Sequence, residues 1–534
     1  MSGVGKGVTT SSIGMLLKAR GLRVTALKID PYINVDAGTM NPTEHGEVFV
    51  LADGDECDQD MGNYERFLDV TLARSNYMTT GRVYRSVIER ERNLGYKGKC
   101  VQVVPHIPLE VIARIQEAAR AADADVVVVE IGGTVGEYEN ILFLEAVRML
   151  KLAHPEDVAV VMVSYVPIPS KVGEMKTKPT QHAVRTLNGT GVHPDLIIAR
   201  SNLPLDRKRK EKIALFCNVR EECVVSAPDV ESIYDVPLNF EKDRLSNLLL
   251  ERLRLSARPT DLKAWRGFVR GAQRAAQEVR IAVVGKYFDT GDFVLSDAYL
   301  SVLEAIKFSA YKLGVKPVIE WVNSKTFERG IPEGACADMH GILVPGGFGE
   351  SGVEGKLNVI EHARRHGVPY LGLCYGMQLL VIEYARHVLG LPRANTVEID
   401  PKTPDPVIDI LPEQKRLIAA GHYGGTMRLG TYPAVLASGS HARAAYGAST
   451  VEERHRHRYE VNPDYIERLE AAGLVFSGKS PDGTLMEIAE LPKDKHPFFV
   501  GTQFHPEFTA RPLHPHPLFT GFVRASLARS RGEA

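Results

Sequence analysis

An α/β fold of two doubly wound domains is what this sequence predicts, on three observations. Short apolar runs alternate with amphipathic stretches through both halves. Glycine-rich turns follow several of those runs where a parallel sheet would end its strands. The 534 residues also exceed what one hydrophobic core supports, so two domains of about 250 residues are expected.

In the first half, Val24–Ile29, Val101–Val104, Val126–Ile131, Val158–Val166 and Leu196–Ala199 read as buried strands. Between them, Ile13, Leu16 and Leu17, and later Leu109, Ile112 and Ile115, recur at helical spacing. This alternation predicts a parallel sheet covered on both faces. After Tyr234 the composition changes: Asp243–Leu255 and Leu262–Gln277 are arginine-rich helical stretches, separated by Arg258-Pro259-Thr260. Thr260 or Asp261 suits the N-cap of the second, and the expectation is a solvated connector. A new βα unit opens at Val279–Gly285. The division predicted is therefore 1–255, a helical linker 256–278, and a second domain 279–528.

Composition narrows the function. With 44% hydrophobic and 25% charged residues, both cores can be filled. A formal net charge of −1 gives no global attraction to nucleic acid or to anionic membranes. No apolar run approaches a membrane span, and Met1 opens into a polar glycine loop rather than a signal peptide. Six scattered cysteines without metal spacing suit a reducing, cytoplasmic setting.

Chemistry concentrates in two places. Ser2-Gly3-Val4-Gly5-Lys6-Gly7 runs into an amphipathic helix expected at about Thr10–Arg20. Glycine amides at a helix start make a cradle for polyphosphate, and Lys6 adds a point charge. Lys28 in Lys28–Asn34 and Glu130 before Ile131–Glu137 sit at the carboxyl ends of predicted strands, where open α/β sheets bind ligands. Asp60 closes an acidic segment that includes Asp53, Asp55, Glu56 and Asp58. Carboxylates near a phosphate cradle are expected ligands for Mg²⁺, which prefers oxygen. Lys176-Thr177-Lys178-Pro179-Thr180-Gln181 offers two lysines and several polar groups to a second anionic ligand.

The second place is Gly372-Leu373-Cys374-Tyr375-Gly376, with Pro345–Gly349 upstream and His505-Pro506-Glu507 downstream. A strand-to-helix turn pushes the thiol into a cleft, with the flanking glycines expected to adopt φ values a side chain forbids. Residues two apart on an extended segment face the same way, so imidazole and carboxylate can reach the thiol together. This order resembles the class I glutamine amidotransferases, which release ammonia from glutamine through a thioester.

The stretches Lys28–Asn34, Glu44–Val50, Gly62–Phe67, Val101–His106, Glu130–Gly136 and Lys176–Gln181, with Gly424–Gly430, Glu453–Tyr459 and Gln503–Phe508, resemble the CTP synthase family across nearly the whole chain. The resemblance implies a P-loop-like amidoligase domain followed by a glutaminase domain. UTP is phosphorylated by ATP on its 4-oxygen, and ammonia passed from the glutaminase displaces the phosphate. It further implies that Ser2, Gly3, Val4, Gly5, Lys6, Gly7, Lys28 and Asp60 hold ATP, and that Asp60 and Glu130 hold Mg²⁺. Lys176, Thr177, Lys178, Pro179, Thr180 and Gln181 would hold UTP, and also CTP as feedback inhibitor, with Glu137, Tyr138 and Glu139 nearby. Gly347, Tyr375, Gln378, Glu398 and Arg458 would position L-glutamine, with an oxyanion hole near Gly347 and Tyr375. Activation by GTP and a homotetramer are family traits.

The chain departs from the family pattern at its start, where Met1 falls inside the cradle. Relatives have a strand before it, so the expectation is a natural start upstream of Met1. The Glu413–His422 approach to Gly424 is shorter than usual, and Glu222 replaces a lysine of some relatives. Three other readings compete. A cobyrinate-type amidase would share the two-part logic. A catalytically impaired scaffold or filament-forming relative would follow from the truncated cradle. Nucleic-acid binding is suggested by the basic run Arg454–Arg458, but no aromatic platform or zinc pattern accompanies it.

Overall fold

The computed structural model describes residues 3–40, 46–171, 173–256, 258–285, 296–332, 334–410 and 427–533. The chain forms two compact α/β units, Met1–Ala37 with Asp60–Val269, and Gly38–Gln59 with Arg270–Ala534. Their first eight strands are β1 (Val24–Asp30), β2 (Val48–Val50), β3 (Glu56–Asp58), β4 (Tyr77–Thr79), β5 (Val126–Ile131), β6 (Val161–Tyr165), β7 (Leu196–Ser201) and β8 (Val224–Pro228). The remaining strands begin with β9 (Glu278–Gly285), β10 (Lys316–Asn323), β11 (Gly341–Val344), β12 (Tyr370–Leu373), β13 (Ala394–Thr396) and β14 (Asp405–Ile410). They end with β15 (Arg428–Leu436), β16 (Thr450–His457), β17 (Tyr459–Val461), β18 (Val475–Lys479), β19 (Met486–Glu490) and β20 (Phe499–Thr502).

The first unit carries two parallel three-stranded sheets, ordered β4-β1-β5 and β6-β7-β8. Parallel neighbours need crossovers, here including the helices Asp60–Leu68 between β1 and β4, Val103–Ala121 ahead of β5, Lys178–Gly189 between β6 and β7, and Arg207–Cys217 between β7 and β8. Leu27, Ile29, Val83 and Val111 pack one core, and Val166, Val184, Ile197 and Ile213 another. β1 and β7, central in their sheets, are almost wholly buried, whereas β5 and β6 lie at sheet edges and are half-buried.

Several expectations are corrected by the structure. Val101–Val104 is not a strand, because a helix begins at Val103 and both Val103 and Val104 are exposed. β-branched residues favour strands only where a neighbour buries them. Val158–Val166 shortens to β6, since the Val158 carbonyl is taken by Arg252 and the Val160 amide by Asp195. The first helix, Lys6–Lys18, starts four residues before Thr10 and is preceded by Gly5, whose φ of 84° glycine accepts without a Cβ penalty. The arginine-rich stretch is also not solvated throughout. Trp265 and Val269 of the helix Lys263–Arg274 are buried, Trp265 lies against Phe67, and its indole N–H donates to the Tyr234 carbonyl.

The second unit is built on a nine-stranded sheet, ordered β10-β9-β11-β12-β20-β19-β18-β15-β16. β10 to β20 run parallel and the remainder antiparallel. The helices Val353–His366 and Tyr375–His387 pack together, as do Leu300–Lys312 and Pro517–Ser530, and they cover the parallel strands. β16 carries the basic run, and its alternation is structural. His455 and His457 are buried and hydrogen-bonded to each other, Arg454 donates to the Val50 carbonyl, and Arg456 pairs with Glu56. Burial holds both imidazoles well below their usual pKa. These side chains are spent inside the unit rather than displayed to phosphates. Among the described residues no helix is long and apolar enough to cross a membrane.

Candidate active site

Cys374 sits between β12 and the helix Tyr375–His387, with φ 49° and ψ −98°. The unusual backbone is therefore carried by the cysteine, and the expectation that the flanking glycines carry it is corrected: neither Gly372 nor Gly376 has positive φ. What those glycines supply is room. A Cβ on Gly376 would lie 2.3 Å from the Val344 carbonyl oxygen, and one on Gly372 would lie 2.5 Å from the Tyr370 hydroxyl. Gly376→Ala is accordingly expected to destabilise the protein by about 3 kcal/mol, because backbone cannot yield as a side-chain tip can. Thermal melting checks this, and glutamine hydrolysis should fall with it.

The thiol is buried. Its Sγ lies 3.8 Å from the Arg456 carbonyl, and Gln503 Nε2 approaches it at 3.7 Å. His505 Nδ1 meets Glu507 Oε1 at 2.7 Å. This is the expected pair, although Glu507 lies in the 3-10 turn Pro506–Thr509 rather than on an extended segment. His505 Nε2 is buried without a hydrogen bond of good geometry and faces the thiol as a nitrogen still to be used. Burial alone would lower the imidazole pKa, but the Glu507 carboxylate and the Cys374 sulfur outweigh it and raise the value to about 10. Gly346 makes space for this ring, since a Cβ there would fall 2.8 Å from His505 Cε1.

The residues expected around glutamine have the following neighbours. Gln378 donates to the Tyr459 carbonyl beside Arg458, and Glu398 accepts from the Gly349 amide at 2.8 Å. The Tyr375 hydroxyl donates to the Gly349 carbonyl, tying the glycine loop that holds Gly347 to the helix behind the thiol. That bond is not legible in the sequence. Gln503 stands two residues before His505, so the same-face spacing used for His505 and Glu507 is the signal that could have found it.

In the first unit a buried lysine is the centre. Lys28 Nζ lies 2.5 Å from Asp60 Oδ2, 2.9 Å from Glu130 Oε1 and 3.8 Å from Asp30 Oδ1. Burial opposes its charge, but the three carboxylates prevail and hold its pKa well above normal. Burial pushes the Asp30 and Glu130 carboxyls up. Tyr64 donates to Glu130 and Tyr77 to Asp30, positioning contacts that sequence reasoning missed. Tyr64 belongs to the family-like stretch Gly62–Phe67, while Tyr77 carries no local signal. Gly7 packs against the same carboxylate, for a Cβ there would meet Asp60 Oδ1 at 2.1 Å. Lys6 donates to the Gly133 carbonyl, joining the cradle to the Ile131–Glu137 turn, and burial lowers its pKa. Gly3, Val4 and Gly5 lead into this helix, whereas Ser2 lies outside the described residues.

The Lys176–Gln181 segment divides. Thr180 is buried and bonded to Ser164 and the Tyr165 carbonyl, and Gln181 donates to Thr177. Lys176 pairs with Glu174, while exposed Lys178 lies over the Phe216 ring at the start of its helix, beside exposed Pro179. Glu137 caps the Thr134 amide at 2.7 Å, and Tyr138 and Glu139 are exposed. Glu222 is exposed and paired with Arg220. The segments Glu413–His422 and Glu44-His45 lie outside the described residues.

A family model for the CTP synthase N-terminus matches residues 1–255, and one for class-I glutamine amidotransferase matches residues 294–525. The chain is 53% identical over 535 residues to a CTP synthase of Thermococcus gammatolerans, covering 100% of this chain and 98% of that one. It is 50% identical over 539 residues to a CTP synthase of Symbiobacterium thermophilum, with the same coverage. A solved glutaminase domain of Trypanosoma brucei CTPS with bound acivicin is 34% identical over 47% of this chain and 94% of that chain, with a TM-score of 0.42. With both halves matched in order and the relatives aligned end to end, the chain belongs to the CTP synthase family, glutamine-hydrolysing ligases that convert UTP to CTP.

Proposed function

We propose that Cys374, His505 and Glu507 hydrolyse glutamine, and that Lys6, Lys28, Asp60 and Glu130 serve the ATP-driven activation of UTP that consumes the ammonia. The observation that carries this reading is a thiol with an unpartnered imidazole nitrogen in one unit and a buried lysine–carboxylate centre beside a glycine cradle in the other.

The Cys374 thiolate attacks the glutamine amide carbon. The resulting oxyanion faces the backbone amides at Gly347 and Tyr375, the second in the first turn of a helix where amides lack intrahelical partners. His505 gives its Nε2 proton to the departing ammonia, leaving a thioester. Water then attacks as Nε2 takes its proton, releasing glutamate and restoring the thiol. Glu507 holds the ring and supports its positive charge. At the other centre the γ-phosphoryl group of ATP moves to the 4-oxygen of UTP, leaving ADP. Ammonia adds at that carbon and phosphate departs, giving CTP. Such transfer needs positioning and charge neutralisation more than covalent chemistry, which suits Lys6, Lys28 and the glycine amides.

Asp60 and Glu130 fit Mg²⁺. Both carboxylates now bind the Lys28 ammonium, and the ion would take their oxygens beside that ammonium, with phosphate oxygens completing the shell it prefers. Bound there, it would add neutralisation of phosphate charge. Lys176 and Lys178 offer charge to UTP, with Thr177, Pro179, Thr180 and Gln181 shaping their loop. Glu137, Tyr138 and Glu139 serve CTP as feedback inhibitor. GTP activation, a homotetramer and a cytoplasmic setting follow the family.

Product analysis tests the proposal: UTP, ATP and glutamine should yield CTP, ADP, phosphate and glutamate, and absence of CTP with every nitrogen donor overturns it. Within that assay Glu507→Gln probes the imidazole. The reaction needs protonated His505, so wild-type hydrolysis should decline as pH rises through about 10. Removing the carboxylate lowers the imidazole pKa. The alkaline limb should then move to lower pH, with kcat reduced about 100-fold.

A further inference from the structure

The hairpin β2–β3 lies within the residues matched by the CTP synthase N-terminus, yet it groups with the second unit. It is built into that unit rather than laid upon it. The Ala52 carbonyl accepts the Thr431 amide at 2.9 Å, and Gly54 passes so close to Gly430 that a Cβ on the latter would lie 2.7 Å from the Gly54 nitrogen.

Both of its strands reach neighbours of the thiol centre. From β2, the buried ring of Phe49 stands edge-on to Phe508, with centroids 5.0 Å apart at 66°. Phe508 in turn stacks on the His505 imidazole at 5.1 Å and 16°. The Val50 carbonyl accepts from Arg454 Nη1 at 3.0 Å, and the Arg454 carbonyl accepts the His505 amide at 2.8 Å. From β3, Glu56 holds Arg456 Nε at 2.8 Å, and the Arg456 carbonyl faces Cys374 Sγ.

We infer that Phe49 is a positioning residue for glutamine hydrolysis, acting through Phe508 on the plane of the His505 ring. The inference rests on the proposed role of Cys374, His505 and Glu507. One hydrogen bond from Glu507 fixes Nδ1 but leaves the ring free to tilt about that contact. A stacked neighbour removes the tilt, provided the neighbour itself cannot slide. The edge of Phe49 supplies that stop, in the edge-to-face geometry aromatic pairs favour. Proton transfer between Nε2 and the leaving ammonia is sensitive to such tilt, whereas glutamine binding is not.

The test uses the full chain. Phe49→Leu keeps apolar volume but loses the ring edge. Glutamine hydrolysis should lose about tenfold in kcat with KM unchanged, and CTP formation from ammonium salt should stay at the wild-type rate. The pH profile of Cys374 alkylation by iodoacetamide should shift as well, which a purely structural role would not cause. Phe508→Leu should show the same loss alone and little further loss in the double variant, because both act through one ring. Should Phe49→Leu fail to fold, Phe49→Met makes the same comparison with a chain that fills irregular space. Wild-type kcat in the folded variant, an equal loss with ammonium, or losses that multiply in the double variant would each overturn the inference. A Cys374→Ala protein still hydrolysing glutamine would instead refute the site itself. Normal hydrolysis by Phe49→Leu beside an inert Cys374→Ala would refute only the part given to Phe49.

Discussion

Cys374→Ala is expected to end CTP formation from glutamine, a loss of about 10⁴-fold or more, while formation from ammonium salt continues at the wild-type rate. The magnitude follows from the chemistry, since no other group can form the thioester and the residual imidazole has nothing to activate. The selectivity follows from the backbone. Alanine meets the positive φ at this position on the same terms as cysteine, and the sulfur makes only two weak approaches, at 3.8 and 3.7 Å. The fold therefore has no reason to fail. Parallel assays with the two nitrogen donors, together with a melting curve, check this. Loss with both donors in a folded protein would show that the thiol serves more than ammonia supply.

Lys28→Met is expected to give the mirror image: synthesis lost with either donor, glutamine hydrolysis retained. Lys28 is the cation on which Asp60, Glu130 and Asp30 converge, and Asp30 and Glu130 are almost wholly buried. Methionine fills much of the same volume but takes away the counter-charge nearest to those carboxylates, leaving only the more distant Lys6. Breaking a buried ion cluster in this way costs about 3–5 kcal/mol. For a unit of this size that lowers the melting temperature on the order of 10 °C. Under the proposed function the same substitution also removes a charge that would face the phosphates of ATP. Differential scanning calorimetry with the paired-donor assay reads both effects. A variant that melts normally and still makes CTP from ammonium would remove Lys28 from the centre.

Local signals carry much of this protein. Cys374, His505 and Glu507 are legible because a thiol between glycines and a histidine two residues from a carboxylate are short-range patterns, and the structure joins His505 to Glu507. Lys28, Asp60 and Glu130 are legible as ends of strands and of an acidic segment, although nothing local says that one ammonium binds all three carboxylates. Where sequence and structure disagree, the cause is neighbours. Val101–Val104 has the composition of a strand, but only Val101 packs against a core, and Val103 and Val104 are exposed. The arginine-rich helix after Thr260 looks solvated by composition, yet Trp265 anchors it against Phe67 and Tyr234. Gly372 and Gly376 look like conformational devices in the sequence. Their need for space becomes visible only when Val344 and Tyr370, distant or folded back, are in place.

By itself, then, the sequence predicted two α/β units and pointed to two candidate sites, Cys374 with His505 and Glu507, and a glycine turn with Lys28, Asp60 and Glu130. Each of these is written in residue types over spans of a few positions. Tertiary structure alone decided that Lys28 gathers three carboxylates, that Tyr375 ties the glycine loop to the helix after the thiol, and that a hairpin from the first half of the sequence stands behind His505. Side-chain contacts between residues hundreds of positions apart depend on how sheets and helices pack, and no local periodicity encodes that packing.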